Sequence, residues 1–237
     1  MKDKKLIVSS IIIIAAAIVV LLFSIFGGIG GGKTPAVLLP GSGSDTAGDS
    51  SLANVTPKTV QSVIATLSRP DSYSCAVTTE DFWGEDGYGK STLQVWVMGE
   101  FTRIQLTENS REKNILVSAD GIWIWYSDNS AQVFHADSAQ GTDADRWMRA
   151  VTYEELMDMD ADSITAAGYA KYAGESCVWA EYETPELGIR CREYISVNTG
   201  ILMGTESWDG TKLVYRMKCG TPSVAPQDAG LFKAPDA

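Results

Sequence analysis

The sequence predicts a mainly β fold (α+β): a curved antiparallel sheet of about eleven strands, with a leading helix and a short helical insert over its concave face, and an N-terminal transmembrane helix ahead of it. Three observations carry this. An uncharged apolar run occupies residues 6–26. A Gly- and Ser-rich stretch separates it from the rest. Beyond residue 70, apolar residues alternate with polar ones in short runs broken by turn residues every 8–12 positions.

Residues 1–5 hold Lys2, Lys4 and Lys5 against Asp3 alone, and the run from Leu6 to Phe26 has 21 residues, three of them Ser and none charged. About 20 helical residues cross a bilayer core. Basic residues before the run place 1–5 in the cytoplasm and the remainder outside, as a single-pass protein of the cell membrane. A cleaved signal peptide is the rival reading, but its apolar region is usually shorter and ends at a small-x-small site, which is missing here. No Cys lies near the end of the run, which excludes lipoprotein processing.

Residues 27–56 read as a flexible linker: Gly27 to Gly32 is nearly all glycine, and 41–51 is small and polar. The Asn54-Val55-Thr56 sequon matters only in a eukaryotic secretory pathway. Residues 57–237 form the extracytoplasmic domain and contain all seven Trp and all nine Tyr, a composition that suits a packed β body. This part has 15 Lys and Arg against 27 Asp and Glu. Such a surface repels phosphate backbones, so nucleic acid is excluded as a partner.

Within the domain, Thr56-Pro57 suits a helix start, and Val60, Val63, Ile64 and Leu67 share one helical face up to Arg69-Pro70. Strands are expected at 73–80, 90–98, 101–107, 113–118, 122–127 and 131–136. Two short helices follow within 142–160, where Thr152 and Glu155 form a possible capping box. Strands resume at 163–172, 175–183, 189–197, 202–208 and 212–219, with hairpin turns at Asn198-Thr199-Gly200 and Asp209-Gly210.

The four cysteines all fall in predicted strands. A turn at Glu183–Pro185 would pair Tyr182 with Glu186 and set Cys177 opposite Cys191, close enough for a disulfide. Cys75–Cys219 would follow, joining the first and last strands. The alternative is four buried free thiols. No C-x-x-C occurs and His135 is the only histidine, so neither a metal site nor a cofactor is expected. His135 alternates with Val133 on a strand and lacks a nucleophile motif. The acids at Asp143-Asp145, Glu154-Glu155 and Asp158-Asp160-Asp162 lie in polar helical or loop sequence. The last triplet starts like a calcium loop but lacks its glycine and distal Glu. No catalytic residue is assigned, and a non-enzymatic domain is expected.

The segment Leu116-Val117-Ser118-Ala119-Asp120-Gly121-Ile122-Trp123-Ile124-Trp125-Tyr126, running on to Gln132-Val133-Phe134, resembles the DG-x-W-x-Y hairpin of the lipoprotein-carrier superfamily (LolA/LolB-like, including outer-membrane lipoprotein-sorting proteins). Val197-Asn198-Thr199-Gly200-Ile201-Leu202 and the end at Phe232 and Pro235 are similar too, so the likeness spans roughly 57–235. It implies an unclosed barrel with a helical lid over an apolar cavity that receives acyl chains. A transmembrane tether departs from that pattern, since the carriers shuttle as soluble proteins. The expected function is a membrane-anchored lipid- or lipoprotein-binding domain, carrier-like or an envelope sensor. The alternative is a structural or regulatory module that binds another envelope protein without a lipid ligand. By alternation, the cavity lining is expected from Val63 and Leu67 on the helix and from Val95, Val97, Ile104, Leu106, Ile122, Ile124, Phe134, Trp179, Ile195 and Tyr215 on strands.

Overall fold

A computed structural model describes residues 54–84, 87–137, 142–184 and 187–235. By contacts the chain divides into two units, Met1–Ser50 and Ser51–Ala237, and all described residues belong to the second. The apolar run 6–26, the segment before it and nearly all of the linker lie outside the described residues. Among the described residues no helix is long and apolar enough to cross a membrane.

Six strands follow a short helix: α1 (Val60–Ala65), then β1 (Ser72–Trp83), β2 (Gly87–Met98), β3 (Phe101–Glu108), β4 (Arg111–Ser118), β5 (Gly121–Tyr126) and β6 (Asn129–Ala136). The insert supplies α2 (Asp143–Arg149) and α3 (Glu154–Asp158). Five more strands complete the sheet: β7 (Ile164–Tyr172), β8 (Glu175–Glu183), β9 (Arg190–Ser196), β10 (Leu202–Asp209) and β11 (Lys212–Cys219). The order across the single sheet is β6-β5-β4-β3-β2-β1-β11-β10-β9-β8-β7. Two meanders are thus joined by one long-range antiparallel pair, β1 with β11, in which Val77 faces Cys219 and Thr79 faces Met217. The sheet is not closed: β6 and β7 are its two ends, and the insert connects them.

Alternation gives the sheet a helix-covered inner face. Val77, Leu93, Val95, Ile104, Ile115 and Ile122 line it on one side, and Val178, Ile195, Met203 and Met217 on the other, all at most 2 % exposed. Val60 and Ile64 of α1, Trp147 of α2 and Leu156 of α3 belong to the same cluster. The helices are held as well as packed. Gln61 Nε2 donates to the Leu156 and Met159 carbonyls, each at 2.9 Å, and so satisfies groups that the end of α3 leaves open.

The outer face is treated differently in its two halves. Over β2–β5 the C-terminal tail returns, and Phe232 covers Leu116 and Trp125. Arg103 donates to the Leu231 carbonyl at 2.8 Å and lies 5.3 Å from the Trp125 ring centre. Over β8–β11 the face is a ladder of rings and charges. Arg192 sits 4.4 Å above Trp179 and pairs with Glu181 at 2.6 Å, and Arg190 sits 4.8 Å above Trp208. Tyr172 stacks on Tyr194 with ring centres 4.1 Å apart, and its hydroxyl donates to the Met217 carbonyl at 3.0 Å. Its ring lies on Gly204, where a Cβ would come within 2.0 Å of the ring. Gly204→Ala should therefore displace Tyr172 and cost about 1–3 kcal/mol. Urea unfolding followed by fluorescence checks this; a loss within the scatter of ordinary surface substitutions would show that the ring moves freely.

Two expectations need correction. The helix is shorter than 57–69, because residues 57–59 form a turn before Val60 and the helical hydrogen bonds give way after Ala65. The disulfides are also not formed: Cys75, Cys177, Cys191 and Cys219 are buried free thiols. The β8–β9 connection runs through a wider loop, in which Thr184 N donates to the Ile189 carbonyl at 2.8 Å. In the resulting register Cys177 faces Ser196 and Cys191 faces Tyr182. The offset from the expected pairing is odd, so the two thiols lie on opposite faces of the sheet. Cys75 and Cys219 do share a face. However, Cys219 is paired with Val77 rather than with Cys75, which leaves them diagonal neighbours.

Candidate functional site

A half-open cavity of about 450 Å³ lies at the β2–β3 turn end of the sheet, bounded by the insert. Its floor is a cross-strand row. Tyr73 of β1 faces Val97 of β2, and Val97 faces Thr102 of β3. Pro70 and Asp71 enter from the segment after α1, and Gly99 and Glu100 from the β2–β3 turn. These two segments are tied together by the Gly99 N–H, which donates to the Asp71 carbonyl at 2.7 Å. The opposite wall is Met148 of α2, then Val151 and Thr152, and finally Glu154 of α3.

The rim is organised around Arg69. Its guanidinium pairs with Glu154 at 2.7 Å and lies 5.0 Å from the ring centre of Tyr153. Tyr153 in turn donates to the Gly200 carbonyl at 2.9 Å. Gly200 has φ +62, and a Cβ there would come within 3.0 Å of the Arg69 backbone, so glycine is required both by conformation and by the approach of the chain. Burial disfavours the Glu154 carboxylate, but the hydrogen bond and charge of Arg69 outweigh it and hold its pKa below the ordinary value. Burial lifts the Tyr73 phenol well above its usual pKa, so the hydroxyl stays neutral. That hydroxyl has no hydrogen-bond partner among the described residues, although Tyr73 is only 6 % exposed.

Of the twelve positions expected to line a hollow, Val97 lines this cavity. Val95, Ile104, Leu106, Ile122 and Ile195 are sealed in the side-chain core, and Val63, Leu67, Ile124 and Tyr215 pack partly buried against it. Trp179 lies on the face opposite Val178 and Ala180, beneath Arg192. Phe134, on the end strand β6, is 55 % exposed. Sequence reasoning missed Arg69, Asp71, Glu100 and Glu154, which read as turn and loop polarity. Pairing of the 69–71 segment with the β2–β3 turn brings Asp71 and Glu100 together, and packing of the insert sets Glu154 against Arg69.

A second polar feature lies under the insert. Glu193 of β9 is 6 % exposed and accepts from the Tyr182 hydroxyl at 2.8 Å, while its other oxygen has no partner among the described residues. Burial pushes its carboxyl up to about 7, and Glu155 and Glu154 add to the shift. His135 stacks on Trp123 with ring centres 4.8 Å apart. Asp160 caps a short turn by accepting from the Asp162 N–H at 3.0 Å. Among the described residues no group of three or more His, Cys, Asp or Glu is placed to hold a metal ion.

Taken together, these features define a class: an open antiparallel sheet with a helical insert on its inner face and an amphipathic cavity between them. The open antiparallel sheet and its helical insert are the architecture expected from the sequence. No protein-family model matches the chain, and no curated protein sequence matches it. Solved structures do. A LolA superfamily protein from Nitrosomonas europaea is 14 % identical, with 76 % of this chain and 98 % of that chain covered at a TM-score of 0.39. A DUF1329 family protein from Desulfovibrio piger is 10 % identical, with 75 % and 95 % covered at 0.38. A domain described as an outer membrane lipoprotein-sorting protein, from Vibrio parahaemolyticus, is 8 % identical, with 71 % and 91 % covered at 0.31.

Proposed function

We propose that this is a non-enzymatic, lipid-binding domain of the cell envelope, anchored by the 6–26 segment with residues 1–5 in the cytoplasm and the domain outside. The cavity carries the reading. Its volume of about 450 Å³ lies within the range of sites that enclose small ligands. Its Tyr73, Val97, Met148 and Val151 surfaces suit an acyl chain, and its charged rim suits a polar head that stays near water. Three of the acids singled out in the sequence are held in ion pairs: Asp145 and Glu155 pair with Arg149, and Glu154 pairs with Arg69.

The test is photolabelling of the full chain in nanodiscs with a diazirine-bearing octanol. Labelled peptides should include 69–73, 97–102 and 148–154. Val97→Phe and Thr102→Phe, which fill the cavity from its floor, should each lower that labelling at least about five-fold, a loss of roughly 1 kcal/mol in binding, without changing the unfolding midpoint. Labelling confined to 6–26, or unchanged in both filled variants, would remove the proposal. A second reading, docking of another envelope protein, is favoured by the end strands β6 and β7, which each pair on one side only and could accept an added strand. A crosslinked partner lost on mutation of Phe134 while octanol labelling persists would favour it.

A further inference from the structure

We infer that the cavity selects an amphiphile whose head is a cationic amine rather than a carboxylate or phosphate. This rests on the cavity reading above and adds the chemistry of the head group.

Charge around the opening is unbalanced. Asp71, Glu100 and Glu154 face one basic residue, Arg69. That one cation is already committed, since its guanidinium holds Glu154 at 2.7 Å and covers the Tyr153 ring. Asp71 and Glu100 have no side-chain partner among the described residues. They sit on the two segments joined by the Gly99-to-Asp71 hydrogen bond, so their positions are coupled. An anionic head would have to displace Glu154 from Arg69 and then remain beside two free carboxylates. An ammonium pays neither cost.

The cavity interior agrees with the rim. Tyr73 is more than nine-tenths buried, lines the cavity and leaves its hydroxyl without a partner. A neutral phenol oxygen can accept a hydrogen bond from an ammonium N–H, and an aromatic ring tolerates a nearby cation better than an anion. Thr102 and Thr152 add hydroxyl oxygens to the lining. The apolar side chains of Val97, Met148 and Val151 are left for the chain that carries the amine. The excess of acidic residues over the domain steers cations toward it.

The experiment uses the full chain in phosphatidylcholine nanodiscs and three diazirine probes of one chain length: octylamine, octanol and octanoate. Free concentrations are matched by dialysis. Labelling of peptides 69–73, 97–102 and 148–154 should be about ten-fold stronger for the amine than for octanoate, with octanol between them. In the double variant Asp71→Asn/Glu100→Gln the amine's advantage over octanoate should fall below about two-fold. Raising the salt concentration should shrink the advantage as well. Octanol labelling that equals or exceeds the amine's, or an advantage that survives the double variant, overturns the charge inference and leaves the cavity reading standing. Failure of all three probes to label the cavity peptides overturns both.

Discussion

Leu156→Ala should lower the stability of the domain by about 3 kcal/mol, within the range of roughly 2–5 kcal/mol for emptying a fully buried leucine site. Leu156 has no exposed surface, and it is the apolar anchor of α3, a helix of only five residues. A helix that short has no stability of its own and persists only through its packing. It is tied further by the Gln61 amide on the Leu156 and Met159 carbonyls and by the ion pairs of Glu154 with Arg69 and of Glu155 with Arg149. Removing the side chain should therefore loosen the wall that contributes Glu154 to the cavity, and octanol labelling of 148–154 should fall along with stability. All seven Trp lie beyond residue 80, so fluorescence-detected urea unfolding of the full chain reports on this domain. A cost under about 1 kcal/mol would mean that the insert rides on the sheet without sealing it.

Glu193→Gln should do the opposite, with a gain that grows as pH rises above about 4.5. The carboxyl titrates near 4.5 when free and at about 7 when folded. Between those values the folded state holds a proton that the unfolded chain has released, so stability falls as pH rises from about 4.5 to about 7 and levels off above. The penalty at pH 8 is on the order of 1–3 kcal/mol. Glutamine keeps an oxygen for the Tyr182 hydroxyl and carries no charge to bury. Thr205, which faces it on β10, has a hydroxyl without a partner among the described residues and can receive the new amide. The variant should match the parent near pH 4 and exceed it increasingly up to pH 7. Parallel stability curves for the two proteins across that interval would show that Glu193 is ionised at no cost.

The cysteines show how far alternation carries a sequence reading. Period-two patterning located all eleven strands, because each buries one face and the turns between them are rich in Gly, Asn and Asp. It did not locate the register across the β8–β9 loop. A turn centred on Thr184-Pro185 looks tight in one dimension, whereas the chain runs to Ile189 before it re-enters the ladder. Which residues of β8 share a face with those of β9 depends on that count, and the expected Cys177–Cys191 bridge fell with it. Trp179 shows the same limit, since a ring assigned to the interior lies under Arg192 on the outer face.

Local sequence determined the strand and helix inventory, the apolar span at 6–26 as an expectation, and the acidic character of the domain. These depend on neighbouring residues, whose spacing the chain itself carries. Only the tertiary structure decided that β1 pairs with β11, that the core closes over most of the apolar positions, and that Arg69, Asp71, Tyr73, Glu100 and Glu154 meet around one opening. Those residues come from three stretches separated by dozens of positions. Their meeting is set by packing of the insert against the sheet, a long-range balance of buried area and register that no local pattern encodes.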